Sequence, residues 1–216
     1  MKTLQIDIVS DIACPWCAIG YARLELAMRE LTGELDFKVQ WHAFELNPDP
    51  DAEPMPILEA LSRKYGRSAA EMEAAQSNMM SIAEELGLDF TRMQERYTRN
   101  TFDAHRLVKW AGEQGKQTEM KMALFDAYFG KAADIADATI LAGCAESIGL
   151  SAAEAAQILE SDEFTQAVRD DEATYQQAGV SAVPAFIINQ QYMIAGAQEP
   201  GTLVNALREI ATSAAE

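Results

Sequence analysis

Residues Leu4-Gln-Ile-Asp-Ile-Val-Ser-Asp-Ile-Ala-Cys-Pro-Trp-Cys17 combine an alternating apolar run, a short loop and two cysteines separated by two residues. Leu4, Ile6 and Ile8 alternate with Gln5 and Asp7, which predicts a strand over 4–9. From Cys17 to Leu31 the apolar positions Ile19, Leu24, Leu26, Ala27 and Leu31 follow helical spacing, and Thr32-Gly33 ends the run. Residues 35–46, with Phe37, Val39, Trp41 and Phe44, read as a second strand, stopped by Asn47-Pro48-Asp49-Pro50. A helix that crosses between two strands predicts that they are parallel.

Residues from Met55 to about Gly179 read as helical throughout, with helices expected near 56–65, 69–86, 102–114, 117–129, 138–148, 152–160 and 163–178. Ser68…Glu71 and Ser151…Glu154 have capping-box spacing. Strand character returns at 185–189 and 192–195 across a Gln190-Gln191 turn, an antiparallel hairpin, and Pro200 opens a last helix to about Thr212. The order is therefore β-α-β, a helical block, then β-β-α. The expected organisation is one discontinuous α/β domain, residues 1–54 and 180–216, with 55–179 as an all-helical insertion. Met72, Ala75, Met79, Ile82 and Leu86 share one face of helix 69–86, a pattern of adaptable core.

The 216 residues carry a formal charge of −17, which argues against nucleic acid and anionic membranes as partners. No apolar run reaches the ~20 residues needed to span a bilayer. Asp7 and Asp11 interrupt any secretory h-region, so a cytoplasmic protein is expected. Three cysteines in a chain of this size do not make a disulfide-stapled scaffold, and in a reducing compartment a close pair points to metal or redox chemistry.

In Cys14-Pro15-Trp16-Cys17 the first cysteine falls at a helix N-terminus, where unpaired N–H groups and the helix dipole favour a thiolate. Such placement lowers a thiol pKa from ~8.5 into roughly 3.5–7.5. Cys14 is then the attacking nucleophile, and Cys17, one helical turn inside, resolves the mixed disulfide. Pro15 suits the first helical turn and Trp16 adds a flat apolar surface. No basic residue lies between the cysteines, which predicts an intermediate redox poise. The alternatives are half a zinc site, for which only His42, His105 and Cys144 remain besides carboxylates, and two inert buried thiols. Cys144, in an apolar helix, reads as a small buried hydrophobe, and His42, in an alternating strand, as a structural histidine.

Ser10-Asp11-Ile-Ala-Cys-Pro-Trp-Cys17, Phe44-Glu-Leu-Asn-Pro48, Asn100-Thr-Phe-Asp-Ala-His-Arg-Leu107 and Ile194-Ala-Gly-Ala-Gln198, in this order, resemble FrnE-like oxidoreductases of the DsbA family. The resemblance extends more distantly to 2-hydroxychromene-2-carboxylate isomerases and kappa-class glutathione transferases. It implies a thioredoxin-like fold with a large helical insertion, and a redox-active Cys14–Cys17 disulfide in place of a bound cofactor or metal. It also implies a cis peptide bond at Val183–Pro184 facing the cysteines, with Val183 offering its backbone to substrate. A proline that merely starts a strand is the other reading. By the same resemblance Asn100, Asp103 and His105 line the cleft opposite Cys14. Otherwise Asn100 and Thr101 cap a helix whose wet face carries His105.

The expected function is thiol–disulfide exchange on protein or small-molecule disulfides, with a thiol reductant as partner and glutathione as a candidate co-substrate. The isomerase and transferase branches have serine at the position of Cys14, so their chemistry stands as the alternative. A non-catalytic holdase that binds unfolded chains through the methionine-rich helices and Trp16 is a second.

Overall fold

The computed structural model describes residues 2–213. Strand β1 (Lys2–Ser10) runs into α1 (Pro15–Glu30), which returns to β2 (Leu35–Ala43). The chain then passes through α2 (Ile57–Tyr65), α3 (Ala69–Glu85), α4 (Phe102–Glu113), α5 (Gln117–Phe125), α6 (Ala138–Ser147), α7 (Ala152–Glu160) and α8 (Thr165–Gln177). It closes with β3 (Ala185–Ile188), β4 (Tyr192–Ala195) and α9 (Pro200–Ser213). The sheet order is β2-β1-β3-β4. β1 pairs with β2 in parallel from Lys2↔Leu35 to Ser10↔Ala43, and with β3 antiparallel from Ile6↔Ile188 to Val9↔Ala185. This is the DsbA-like thioredoxin fold, an α/β sheet unit with its helical block between β2 and β3.

β1 is central, and both of its faces are covered. Leu4, Ile6 and Ile8 point into the main core with α1 and α9. Val9, on the other face, meets Val180 and Ala185. Asp7 shares that second face and is buried. It accepts from His42 Nε2 at 3.0 Å, while His42 Nδ1 lies 3.0 Å from Asp171 of α8. His42 is thus a structural clamp between the sheet and α8.

Two elements depart from the sequence reading. The second strand stops at Ala43 rather than 46, because the backbone beyond it bonds to side chains instead of a neighbouring strand. Asp171 takes the Ala43 N–H (3.0 Å) and Asp11 the Leu46 N–H (2.7 Å). The helix expected over 117–129 is α-helical only to Phe125 and continues as a π-helical turn, Asp126–Gly130, closed by Lys131 N–H to Asp126 O at 3.1 Å. The extra residue in that turn lets Phe125, Tyr128 and Phe129 all face the core.

On α3, the buried face is Met72, Gln76 and Ala83, with Met79 and Leu86 half-buried against the core. Ala75, placed on that face by sequence, is exposed. Ser68 closes a complete capping box with Glu71.

Candidate active site

The site forms where β1 feeds α1. Cys14 is the N-cap of α1, with extended backbone (φ −94°, ψ 109°), and Pro15 occupies the first helical position, where no N–H is needed. The loop before it is held by Asp11: its carbonyl accepts from Cys14 N–H at 3.2 Å and its carboxylate from Ala13 N–H at 3.1 Å. Cys14 is 5% exposed and Cys17 wholly buried, so only the first sulfur can be reached from outside. Trp16, 39% exposed, flanks it.

Local electrostatics separate the two thiols. A hydrogen bond from the Cys17 thiol pulls Cys14 below its ordinary pKa. The Cys17 and Trp16 amides assist, against burial and the Asp11 carboxylate, which push it up. Burial pushes Cys17 well above the ordinary thiol value, and neighbouring Cys14 pushes it further. The charge of Lys121 and the Asp11 amide pull the other way without prevailing.

Across from the helix N-terminus, Val183–Pro184 is a cis peptide bond. The Cys14 thiol reaches the Val183 carbonyl oxygen at 3.7 Å. Pro184 is buried, and its carbonyl accepts from Gly196 N–H at 2.8 Å. Gly20 of α1 gives the space for this approach. A Cβ there would lie 3.1 Å from Pro184 Cγ, 3.2 Å from Phe186 Cζ and 3.4 Å from Ala197 Cα. Arg23 donates to Ala197 O at 2.7 Å. The Ile194–Gln198 motif therefore backs the Pro184 loop.

The two remaining motifs converge behind the cysteines. His105 is 2% exposed, and its Nε2 lies 3.2 Å from Phe44 O and 3.5 Å from Asp11 Oδ1. Burial, together with the Lys121 charge, pushes His105 below its ordinary pKa, against the Asp11 carboxylate, which pulls it up. Burial alone would raise the Asp11 carboxyl. The His105 ring and the Leu46 and Ala13 amides hold it below the ordinary value, so it is a carboxylate.

Asn100 Nδ2 donates to Glu45 Oε2 (2.6 Å) and Asn47 O (3.1 Å), and its Oδ1 accepts from Phe102 N–H (2.9 Å). It fastens the 45–47 loop to the start of α4. Asp103 is half-exposed and pairs with Arg106 at 2.8 Å. His105 thus meets the redox loop through Asp11, and Asn100 meets it through 45–47. Asp103 makes neither contact, and the wet helix face is not where His105 lies. Cys144 is buried on α6, and burial pushes its thiol up to about 11.

Two residues of the site carried no sequence assignment, Gly20 and Lys121. Lys121 is wholly buried beside Met120, Leu124 and Phe125 on α5. A charge on an otherwise apolar helix face was the available signal. Among the described residues no group of three or more His, Cys, Asp or Glu side chains is placed to hold a metal ion.

Residues 5–208 match the DSBA-like thioredoxin domain. The chain belongs to that family. This DsbA-like protein is 31% identical over 190 residues to the uncharacterized protein YwbO of Bacillus subtilis, covering 86% of this chain and 87% of YwbO. The crystal structure of a probable DsbA oxidoreductase from Streptomyces coelicolor superposes with TM-score 0.88 at 32% identity, over 95% of this chain and 89% of that one. The fold is shared at 18% identity with the cytosolic disulfide reductase DsbM of Pseudomonas aeruginosa, solved with glutathione, at TM-score 0.65 over 95% of this chain and 98% of that one.

Proposed function

We propose that this DsbA-like protein is a FrnE-like thiol–disulfide oxidoreductase of the cytoplasm. In this reading it reduces or isomerises disulfides of protein or small-molecule substrates through the Cys14–Cys17 couple. The observation that carries the reading is the asymmetry of the pair. Cys14 is an N-cap sulfur drawn toward thiolate by Cys17 and two amides, and Cys17 is a buried thiol held protonated behind it. The low-pKa sulfur attacks a substrate disulfide, and the second displaces the product from the mixed disulfide.

The Val183 carbonyl and N–H, beside the Cys14 sulfur, pair with an extended substrate segment as an added strand would. Trp16 provides apolar surface for its side chains. A small thiol of the glutathione kind, the ligand with which DsbM was solved, returns the couple to the dithiol. His105, through Asp11, and Asn100, through residues 45–47, enter this reading as supports of the redox loop rather than as reacting groups, and Asp103, paired with Arg106, has no part in it.

The test is glutathione-driven reduction of a protein disulfide and of a small aromatic disulfide, by the parent and by Cys14→Ser and Cys17→Ser. Loss of turnover in both variants is expected, with a trapped mixed disulfide in Cys17→Ser. Glutathione-dependent turnover that survives Cys17→Ser would favour the isomerase or transferase branch. Suppression of aggregation that survives both substitutions, with no turnover in the parent, would favour a holdase.

A further inference from the structure

Strand β2 is an edge of the sheet, with β1 on one side only. Gln117 marks which backbone groups face outward. Its side chain accepts from Trp41 N–H at 2.9 Å and donates to Trp41 O at 3.1 Å, on the side away from β1. Backbone direction alternates along a strand, so the N–H and C=O of Leu35, Phe37, Val39 and Ala43 face outward as well. The protein covers part of this edge with its own groups. Asp171 takes the Ala43 N–H (3.0 Å), and the Leu31 carbonyl takes the Leu35 N–H (3.1 Å). The outward N–H and C=O of Phe37 and Val39 have no partner among the described residues.

An open edge pairs with another strand unless its side chains forbid it. Phe37 and Val39 lie half-buried against the main core, while Asp36, Lys38 and Gln40 stand exposed on the opposite face. A lone edge lysine discourages pairing. Here Asp36 and Lys38 flank Phe37, so the stretch Asp36-Phe37-Lys38 is complementary to itself when turned about Phe37. In an antiparallel pair with Phe37 opposite Phe37 of a second copy, each Asp36 stands opposite a Lys38. Moving the twofold to Lys38 or to Asp36 sets like charges directly opposite each other, which is unfavourable. Moving it to Val39 requires the Trp41 backbone groups that Gln117 already holds.

We propose that β2 pairs with β2 of a second copy of this chain, antiparallel and centred on Phe37, joining two four-stranded sheets into one. Each Phe37 N–H donates to the Phe37 carbonyl oxygen across the seam, and each Val39 N–H donates to a Leu35 carbonyl oxygen. Two Asp36–Lys38 pairs close one face, and Leu35, Phe37 and Val39 carry the apolar core across the other. Beyond Leu35 the second copy's chain leaves the seam at its exposed turn, Thr32-Gly33-Glu34. A cleft of about 540 Å³ beside Val39 and Gln40, walled by Gly112, Gly115, Gln117 and Phe164, receives that turn. Glu34 enters it already paired with Arg208 of its own chain at 2.7 Å. Because the two β2 strands run in opposite directions, the two Cys14 sites lie at opposite ends of the joined sheet and neither covers the other.

The formal charge of −17 on each chain opposes self-association at long range, so the local pairs decide the register. The test is therefore made in 0.15 M salt, where the screening length is about 8 Å. Sedimentation velocity of the full chain over a concentration series should show a reversible dimer. Asp36→Lys and Lys38→Glu, each alone, oppose like charges twice per dimer and should weaken it by about tenfold or more. The double variant Asp36→Lys/Lys38→Glu rebuilds both pairs with reversed sign and should restore the dimer. A mixture of the two single variants should form mixed dimers, because every pair across that seam is again of opposite charge.

A parent chain that stays monomeric at submillimolar concentration overturns the inference and leaves the edge to an extended segment of another protein. A dimer that neither single variant weakens, or that the double variant fails to restore, overturns it as well. Amide exchange read by NMR in the parent gives a second check. The Phe37 and Val39 N–H groups should be protected in the dimer and exchange rapidly on dilution, while those of Lys38 and Gln40, bonded to β1, stay protected throughout. Rapid exchange of Phe37 and Val39 within the dimer puts the seam on another surface and overturns the pairing.

Discussion

The Cys14 sulfur points at the Val183 carbonyl oxygen 3.7 Å away, so the attacking atom and the backbone proposed to receive substrate face the same cleft. The sulfur behind it is sealed from solvent. In the reduced protein with both cysteines present, Cys14 should alkylate with an onset below the ordinary thiol range, and Cys17 only well above it, the two positions read separately by peptide mapping. Iodoacetamide rates from pH 4 to 10 check this. Faster labelling of Cys17 at pH 6 would reverse the assigned roles.

Asp11→Asn should make Cys14 more acidic. The carboxylate raises the Cys14 thiol by charge repulsion, and a neutral amide removes that effect. The onset of Cys14 alkylation should therefore move to lower pH. The exchange also costs stability, because Oδ1 and Oδ2 each accept from a backbone amide and Asn offers one acceptor in place of two. A loss of about 1–3 kcal/mol in urea unfolding is expected.

Gly20→Ala places a methyl against Pro184, Phe186 and Ala197 at 3.1–3.4 Å. In the interior of a helix alanine gains about 1 kcal/mol over glycine. Here a rigid proline ring, a fully buried phenylalanine and backbone all resist displacement, and overpacking typically costs about 1–3 kcal/mol. The expected outcome is a net loss of stability, with turnover falling further than the rate of Cys14 alkylation. Unchanged turnover would show that the Pro184 loop can give way at no cost.

Glu45 should make the protein less stable as pH rises from about 5 to 8. Burial, and then Glu172 beside it, raise its carboxyl to about 7 in the folded state. The folded chain thus binds more protons than the unfolded one between the two pKa values. The contribution is full below the unfolded value and is lost as pH rises through about 7. An effect on the order of 1 kcal/mol is expected, and Glu45→Gln should flatten it in thermal melts across that range. An unaltered profile would place the proton elsewhere.

The sheet unit was legible because its signals are local. Alternation in β1, the Cys14–Cys17 spacing and the Pro184–Ile188 run each sit within a few residues of what they specify. What escaped depends on contacts far apart in sequence. Nothing near Lys121 says that Ser10 lies beside it, and nothing near Gly20 says that Pro184 and Ala197 press on it. Strand β2 looked too long because residues 44–46 keep a strand-like composition while giving their backbone groups to Asp11 and His105. His105 was assigned to a wet face or a cleft. Its burial follows from Phe44 and Asp11, which local pattern does not reveal.

α3 is tied down along a narrow strip. Of its 17 residues Met72, Gln76 and Ala83 are buried, with Gln76 held by Arg96 Nη1 at 3.0 Å. β1 is enclosed on both faces. The molecule should therefore breathe unevenly. Deuterium should enter the α3 amides through a partial opening that leaves the sheet shut, while β1 amides wait for global unfolding. Each such opening would bare Met79, Met80 and Ile82, a transient greasy flank that protease nicking within residues 69–85 would register before any loss of the redox couple.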